Sequence, residues 1–222
     1  MSMNIAIDGP AGAGKSTIAK RIAKQLGYIY VDTGAMYRAM ALYLIRRGIT
    51  TDHTEQISEF CKDAQITIEY QKGEQIVVLN GENVNAFLRT EEVGNMASVS
   101  SVNGDVRRKL VELQQELAAK NDVVMDGRDI GTCVLPNAEV KIYLTASSSV
   151  RAKRRYDELM AKGESADFDK IEADIIERDE RDMTREISPL RQAEDAVLVD
   201  SSDRNVDEVV ARILAIVSEK TD

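Results

Sequence analysis

The chain has 222 residues, 43% of them hydrophobic and 30% charged, which suits one domain with an insertion and excludes a disordered or fibrous protein. Acidic residues outnumber basic ones 38 to 29, and the formal net charge of −9 argues against a general nucleic-acid binder, which would need excess positive charge. No apolar run is long enough to cross a membrane.

Two further features of the composition bear on location and chemistry. Cys61 and Cys133 cannot supply a disulfide framework, and no basic stretch precedes an apolar one at the N-terminus, so we expect a cytoplasmic protein. His53 is the single histidine, which argues against triads and zinc sites built on histidine. We interpret it as a surface loop residue.

Short apolar runs alternate with longer helical patterns along the chain. The first run is followed by a helix over residues 16–26, in which apolar residues recur every four positions until Gly27. Another helix follows Asn205, which is placed to cap it. Strands that are apolar throughout and alternate with helices predict a doubly wound α/β fold with a five-stranded parallel sheet. The predicted strands are residues 4–7, 28–31, 123–125, 140–144 and 196–199.

One stretch interrupts this alternation. The segment Ile66-Thr-Ile-Glu-Tyr70 alternates between apolar and polar residues, and Asn80-Gly81 between further strand-like runs is a strong hairpin signal. We therefore expect a subdomain with a small antiparallel sheet at roughly residues 36–100. The charged stretch 153–185 is helical in composition, with a break predicted at Lys162-Gly163-Glu164.

A phosphate-binding motif follows the first predicted strand and opens the first predicted helix. Its glycines let successive backbone N–H groups turn inward around a polyphosphate, Lys15 can reach the β- and γ-phosphates, and the Ser16 hydroxyl is a ligand for Mg²⁺. This predicts a site for a purine nucleoside triphosphate, against the alternative of a glycine-rich turn without a ligand. The residues of this motif are Gly9, Pro10, Ala11, Gly12, Ala13, Gly14, Lys15, Ser16 and Thr17.

A phosphate-binding loop alone does not separate a GTPase switch, a motor and a small-molecule kinase. The chain lacks an Asn/Thr-Lys-x-Asp run that reads guanine, and its size and acidity argue against a motor. A kinase that joins two phosphorylated ligands needs fixed cations. Arg38 and Arg128 each follow a predicted strand, and the carboxyl ends of parallel strands share an edge of the sheet, so we expect both to face the loop.

Two helical clusters of charge extend this hypothesis. Arg178, Arg181, Asp182 and Arg185 fall on one helical face about 100° wide. A second cluster holds Arg151, Arg154 and Arg155. The competing interpretation of both clusters is a solvent-exposed face of ion pairs. Asp126 is either a strand-end turn residue or a partner of Mg²⁺ through water.

At this point the motifs resemble those of bacterial cytidylate kinases (CMP kinases), which belong to the nucleoside monophosphate kinases. The resemblance extends from about Asn4 to Val217. The phosphate-binding loop is common to many families, whereas the other motifs are more specific. The matching segments are Asp8-Gly-Pro-Ala-Gly-Ala-Gly-Lys-Ser-Thr17, Val31-Asp-Thr-Gly-Ala-Met-Tyr-Arg38, Arg89-Thr-Glu-Glu-Val-Gly-Asn95, Met125-Asp-Gly-Arg-Asp-Ile-Gly-Thr132 and Glu177-Arg-Asp-Glu-Arg-Asp182.

The resemblance implies a division of the chain and a role for each matching residue. It implies a core of residues 1–35, 101–155 and 174–222, a nucleoside monophosphate-binding subdomain at 36–100 and a lid at 156–173. Arg154 and Arg155 are expected to contact ATP. The ligands implied for the acceptor phosphate are Tyr37, Arg38, Arg128 and Arg185; for the cytosine, Thr33, Ser98, Arg107 and Asp129; and for the ribose, Arg178 and Asp182.

The implied reaction is in-line transfer of the γ-phosphoryl of ATP to CMP, and also to dCMP, with Mg²⁺. Lys15, Asp126, Arg128 and Arg185 are the expected catalytic residues, and we expect a monomer that binds neither nucleic acid nor membrane. Three alternatives stay open: a kinase for UMP, AMP or an acceptor such as shikimate; a non-catalytic nucleotide switch; and a nucleic-acid-binding module that uses Arg151–Arg155.

Overall fold

The computed structural model describes residues 2–51 and 54–221, so the interpretation of His53 falls outside the described residues. Eight strands and eight α-helices lie along the described residues, with short 3₁₀ turns at 54–56, 61–63 and 85–87. They are β1 (Asn4–Asp8), α1 (Lys15–Leu26), β2 (Ile29–Asp32), α2 (Thr33–Arg46), α3 (Ile57–Phe60), β3 (Ile66–Gln71), β4 (Glu74–Leu79), β5 (Glu82–Asn83), α4 (Glu91–Ser100), α5 (Gly104–Lys120), β6 (Val123–Gly127), β7 (Val140–Thr145), α6 (Ser148–Ala161), α7 (Phe168–Thr184), β8 (Val197–Asp200) and α8 (Val206–Thr221).

The larger sheet confirms the fold predicted from the sequence. It has five strands in the order β2-β6-β1-β7-β8. β1 runs parallel to both neighbours, with Ile5 opposite Val124 of β6 and Val140 of β7, and β7 runs parallel to β8. Ile5, Ala6 and Ile7 have no exposed surface, as expected for a strand covered on both faces.

The described residues cluster into two compact units. The first contains residues 3–28 and 122–221, and the second contains residues 29–51 and 54–121 together with Ser2. Residues 29–35 and 101–121, which the resemblance assigns to the core, cluster with the second unit. The functional division into core, subdomain and lid stays a prediction.

The helices of the first unit begin and end at the predicted signals. Gly27 ends α1 with a left-handed φ of 73°, a conformation that glycine adopts without strain. Before α8, Asn205 Oδ1 accepts the N–H of Glu208 at 3.0 Å, and the Glu208 carboxylate accepts the N–H of Asn205 at 2.8 Å. This reciprocal capping confirms the predicted role of Asn205. The predicted break near Gly163 is also present, since α6 ends at Ala161 and α7 begins at Phe168.

The second unit contains the predicted antiparallel insertion. β3, β4 and β5 form a three-stranded sheet in that order, with Ile66 opposite Leu79 and Leu79 opposite Glu82. Asn80 and Gly81 form the turn between β4 and β5 with φ angles of 50° and 84°, which confirms the hairpin signal. No helix in the described part of the chain is long and apolar enough to cross a membrane.

Candidate active site

The phosphate-binding loop connects β1 to α1 in the first unit and requires glycine at its first position. Gly9, Gly12 and Gly14 have φ angles of 149°, 76° and 89°, which side-chain-bearing residues rarely adopt. A Cβ at Gly9 would lie 1.9 Å from the carbonyl oxygen of Leu144 in β7. The loop is therefore packed against the sheet at the C-terminal end of β1, with the first N–H groups of α1 behind it.

Lys15 is the first residue of α1 and is only 6% exposed. Its Nζ donates a hydrogen bond to the carbonyl oxygen of Pro10 at 2.7 Å, so the side chain folds back over the loop. Burial and the nearby Arg128 guanidinium lower the pKa of Lys15 to about 7, against the opposing charges of Asp126 and Asp8. An anion bound at this loop would stabilise the ammonium form and raise its pKa again.

Ser16 and Asp126 lie side by side at the sheet edge. Ser16 Oγ donates to Asp126 Oδ2 at 3.0 Å, and Asp126, in β6, is only 5% exposed. Hydroxyl and carboxylate oxygens are the hard ligands that Mg²⁺ prefers, and Mg²⁺ at such sites also keeps waters and phosphate oxygens. The two residues therefore fit a magnesium ion carried by the nucleotide, with Ser16 as a ligand and Asp126 as a partner through water.

Two arginines of the first unit lie against carboxylates near this edge. Arg128 Nε donates to Asp182 Oδ2 on α7 at 2.9 Å. Arg185 Nε donates to the carbonyl oxygen of Ser188 at 2.6 Å, and Arg185 Nη2 lies 3.4 Å from Asp129 Oδ1, with both of these side chains at most 7% exposed. The structure thus brings Lys15, Arg128, Arg185 and their carboxylate partners into one unit.

The α7 cluster differs from the prediction at Arg181, which is exposed, and at Arg185, which lies beyond the helix. The side chain of Arg181 is 54% exposed and its Nε lies 3.7 Å from Glu177, so it is a surface residue. Arg185 follows the end of α7 with a φ of −59° and a ψ of 140°, which is not helical, so helical angles do not place its side chain. Arg178 lies half-buried on α7 and Asp182 is buried.

Arg151, which the sequence groups with Arg154 and Arg155, is buried and contacts the phosphate-binding loop. Arg151 of α6 is 5% exposed and donates to the carbonyl oxygens of Ala146 at 2.9 Å and Ala11 at 3.0 Å. Its Nη2 donates to Asp179 of α7 at 2.6 Å. Asp179 was not among the predicted site residues. Arg151 therefore ties α6 and α7 to the phosphate-binding loop.

The other two arginines of that cluster differ from Arg151. Arg154 Nη2 donates to the carbonyl oxygen of Ser201 at 2.7 Å, and its Nη1 lies 4.0 Å from where a Cβ on Gly14 would be. This places Arg154 beside the loop. Arg155 is half-exposed and donates to Glu158 at 2.9 Å on the same helix. Contacts of Arg154 and Arg155 with ATP stay predictions.

Asp8, at the end of β1, is a second buried residue that sequence reasoning missed as a site residue. It is 4% exposed, and its two carboxylate oxygens accept the N–H groups of Ile130 at 2.8 Å and Gly131 at 2.7 Å. Burial raises the pKa of Asp8 to about 6, and the two backbone hydrogen bonds limit the rise. The only sequence signal was its place just before the phosphate-binding motif.

In the second unit, the start of α2 is shaped by Asp32. Its side chain accepts the N–H of Ala35 at 2.9 Å, and its backbone N–H donates to Gln75 of β4 at 2.8 Å. A Cβ at Gly34 would lie 3.2 Å from both Arg38 Nη1 and Asp32 Oδ1. The segment therefore packs Arg38 closely against the helix N-terminus, and Thr33 beside it is 3% exposed.

The remaining predicted acceptor residues also lie in the second unit. Arg107 of α5 is 4% exposed, its Nη1 donates to the carbonyl oxygen of Ser101 at 3.2 Å, and its guanidinium carbon lies 5.7 Å from the centre of the Tyr37 ring. Ser98 lies half-buried on α4. Tyr37 and Arg107 are thus brought together as a cation–π pair.

Comparison with known proteins agrees with this combination of motifs. A family model described as cytidylate kinase matches residues 5–219. The chain is 50% identical over 214 residues to a cytidylate kinase of Caldicellulosiruptor bescii, covering 96% of this chain and 95% of that protein. It is 48% identical over 217 residues to a cytidylate kinase of Bacillus cytotoxicus, covering 98% and 96%.

Among solved structures, the chain is similar to a shikimate kinase from Bacteroides thetaiotaomicron, with a TM-score of 0.51 and 16% sequence identity. The match covers 97% of this chain and 98% of that protein, which shows a common fold. Because the family model spans nearly the whole chain and both relatives match it over at least 96% of its length, the chain belongs to the cytidylate kinase family.

Proposed function

We propose that this chain transfers the γ-phosphoryl group of ATP to CMP, and also to dCMP, giving ADP and CDP or dCDP. The observation that carries the proposal is the set of buried and half-buried charges in the first unit. Lys15, Arg128 and Arg185 combine there with a phosphate-binding loop and the Ser16–Asp126 pair. Fixed cations beside a triphosphate site suit an acceptor that is itself a phosphate.

The donor is held by the loop of residues 9–17. Its backbone N–H groups and the N-terminus of α1 bind the phosphates, and Lys15 places its ammonium against the β- and γ-phosphates. Arg154 and Arg155 of α6 are further proposed contacts of ATP. A magnesium ion, bound through Ser16, would neutralise charge on the β- and γ-phosphates and order them for transfer.

The acceptor is held by residues that the family resemblance identifies. Tyr37, Arg38, Arg128 and Arg185 bind the phosphate of CMP, and Arg178 and Asp182 bind the ribose. Thr33, Ser98, Arg107 and Asp129 surround the cytosine. A carboxylate such as Asp129 can accept from the 4-amino group, which uracil lacks, and this is the physical basis proposed for base selection.

The transfer requires no general base from the protein. A phosphate monoester has a second pKa of about 6, so the attacking oxygen of CMP is already deprotonated at neutral pH. Lys15, Arg128 and Arg185 therefore act by aligning the two phosphates and by balancing the charge that accumulates as they approach. This agrees with the presence of one histidine in the whole sequence.

The alternatives make different use of the same features. A nucleic-acid-binding face would need several exposed cations. Arg151 is buried and bonded to Ala11, Ala146 and Asp179, which leaves only Arg154 and Arg155 of that cluster exposed. A nucleotide switch would bind a triphosphate without an acceptor that accelerates its turnover. Kinases for UMP, AMP or shikimate would use the same donor site with a different acceptor, so a comparison of acceptors distinguishes them from a CMP kinase.

An acceptor panel tests the proposal. ADP release from ATP is measured with CMP, dCMP, UMP, AMP and shikimate, each at the same concentration, with Lys15→Ala as the blank. We expect CMP and dCMP to give the highest kcat/KM. Faster turnover with AMP or shikimate, or GTP binding with no stimulation by any acceptor, would refute the proposal.

We further propose that the protein acts as a cytoplasmic monomer. The short apolar runs and the two cysteines support the location, and monomer is the default expectation. Light scattering coupled to size exclusion should give a mass near 24.6 kDa. A mass of twice that value at assay concentration would contradict the monomer.

A further inference from the structure

The turn that follows β6 has its first N–H groups capped by a remote residue. Residues 130–134 form a π-helical turn in which the N–H of Leu135 donates to the carbonyl oxygen of Ile130 at 2.7 Å. The first N–H groups of any helical turn have no partner inside it. Here the N–H groups of Ile130 and Gly131 donate to the carboxylate of Asp8, at the end of β1. Asp8 precedes these two residues by 122 and 123 positions in the sequence.

Asp129 occupies the position from which an aspartate ordinarily caps its own turn. Its side chain makes no capping hydrogen bond, and its φ and ψ are −145° and 27°. The Asp129 carboxylate is instead directed to Arg185, at 3.4 Å. Asp8 thus performs the capping that Asp129 would otherwise perform.

The contact between Asp8 and the turn is close, and it places the Asp8 carboxylate near another negative charge. A Cβ on Gly131 would lie 3.4 Å from Asp8 Oδ2 and 3.1 Å from Lys141 Cδ, so the turn is pressed against both side chains. Asp8 also experiences the opposing charges of Asp129, which raises its pKa, and Lys15, which lowers it. A buried carboxylate beside another carboxylate costs stability, so the arrangement calls for a functional reason.

We propose that Asp8 is a positioning residue for base recognition: by capping the turn at Ile130 and Gly131, it keeps the Asp129 carboxylate directed away from that turn and toward the cytosine of CMP. This inference rests on the proposed function, in which Asp129 reads the base. Asp8 itself contacts no substrate. Its effect on selectivity passes entirely through Asp129.

Asp8→Asn tests the inference with almost no change in volume. The amide replaces one acceptor oxygen by an NH₂ donor that faces a backbone N–H, so one of the two capping bonds is lost. We expect the ratio of kcat/KM for CMP to that for UMP to fall about tenfold, the scale of one hydrogen bond to a charged group. Loss of the Asp8 charge also lowers the pKa of Lys15 and so affects ATP binding, but it does this equally with either acceptor. The ratio of the two acceptors is therefore the quantity that reports on the base.

A double-mutant cycle with Asp129→Ala separates positioning from a general structural effect. In the Asp129→Ala background, Asp8→Asn should leave the CMP-to-UMP ratio unchanged, because the group through which it acts is gone. Effects that multiply in the double variant, or an equal loss for CMP and UMP, would overturn the inference.

Controls and a second variant complete the test. Asp122→Asn is the matched control, since Asp122 Oδ1 also accepts a backbone N–H, that of Met3 at 2.6 Å, at the opposite end of these strands. It should leave the ratio unchanged. If Asp8→Asn does not fold, Asp8→Ser takes its place in the cycle.

Amide exchange gives an independent reading of the cap itself. The Ile130 and Gly131 amides should exchange faster in the Asp8 variant than in the wild type, and unchanged exchange would refute the cap. A wild-type protein that forms no CDP in the acceptor panel would refute the proposed function and this inference together. Failure of the Asp8 inference alone shows as an unaltered ratio in a variant of an active kinase.

Discussion

Lys15 has the most demanding electrostatic position among the residues of the candidate site. It is buried, close to the Arg128 guanidinium, and hydrogen-bonded to a carbonyl oxygen, that of Pro10. Such a site favours the ammonium form only when enough negative charge is nearby. The carboxylates of Asp8, Asp126 and Asp182 supply part of it, and the phosphates of ATP are proposed to supply the rest.

Removing the Lys15 ammonium should slow the chemical step. Lys15→Ala is expected to lower kcat by about 10²-fold or more, the scale for losing one fixed donor to charge that develops in the transition state. Steady-state kinetics with saturating ATP and CMP measure this. Lys24→Ala, an exposed lysine on the same helix, is the matched control and should leave kcat unchanged. Normal turnover by Lys15→Ala would remove Lys15 from the mechanism.

The lowered pKa of Lys15 also predicts how ATP binding depends on pH. Above a pKa of about 7 the lysine is mostly neutral before ATP binds, and the phosphates raise its pKa, so binding takes up a proton. ATP affinity should therefore fall as pH rises from 7 to 9. Calorimetry at pH 8 in buffers of different ionisation enthalpy should detect the uptake, and Lys15→Met should abolish it. Equal proton uptake by Lys15→Met would contradict the assignment.

The same shift has a defined effect on the stability of the protein without nucleotide. The folded state binds fewer protons than the unfolded chain between pH 7 and the usual lysine pKa of 10.5. The contribution of Lys15 to the free energy of unfolding therefore rises with pH across that window. Asp8 acts in the opposite direction, because its pKa is raised from 3.8 to about 6, and its contribution falls as pH rises between those values.

At the scale of elements, Arg151 links two helices and the phosphate-binding loop through one guanidinium. α6 carries it, α7 supplies Asp179, and the loop supplies the carbonyl oxygen of Ala11. An ion pair of this kind is costly to break on one side only, because the remaining charge stays buried without its partner. The pair therefore fixes the position of α7 relative to the loop more than it adds net stability.

Arg151→Met should lower the free energy of unfolding by about 3–5 kcal/mol, the usual cost of leaving one buried charge unpaired. Adding Asp179→Asn removes that charge and should recover part of the loss. Urea unfolding followed by circular dichroism measures both variants. The control is Lys153→Met on the same helix, whose pair with Asp157 is exposed and should contribute less than about 1 kcal/mol. An Arg151→Met loss no larger than that of the control would contradict a structural role for the pair.

Local signals predicted the elements better than they predicted side-chain partners. The alternation of apolar runs gave all five parallel strands, and Asn80-Gly81 located the hairpin, because both signals depend on a few adjacent residues. Asp8, Asp179 and the burial of Arg151 were missed, since their partners are far away in sequence. Helical angles do not place Arg185, because α7 ends at Thr184, and they do not distinguish the exposed Arg181 from the buried Asp182.

At the scale of the whole molecule, a chain with a net charge of −9 is proposed to bind two anionic nucleotides. The overall charge opposes that binding, so the favourable field must be local. In the first unit, Lys15, Arg128 and Arg185 are largely buried near the C-terminal ends of the strands, and bound phosphates are proposed to compete for them with the neighbouring carboxylates. Buried cations are screened by salt less than surface ones. For nucleotide binding, the net charge of the whole chain therefore matters less than the burial of these few cations.

The central claim is direct phosphoryl transfer between two nucleotides, and isotope transfer tests it most directly. The protein is incubated with CMP and ATP labelled in the γ-phosphate, and the products are separated. We expect the label in the β-phosphate of CDP, with little inorganic phosphate formed and with Lys15→Ala inactive. Label recovered mainly as inorganic phosphate, or absent from CDP while ATP is consumed, would contradict the account.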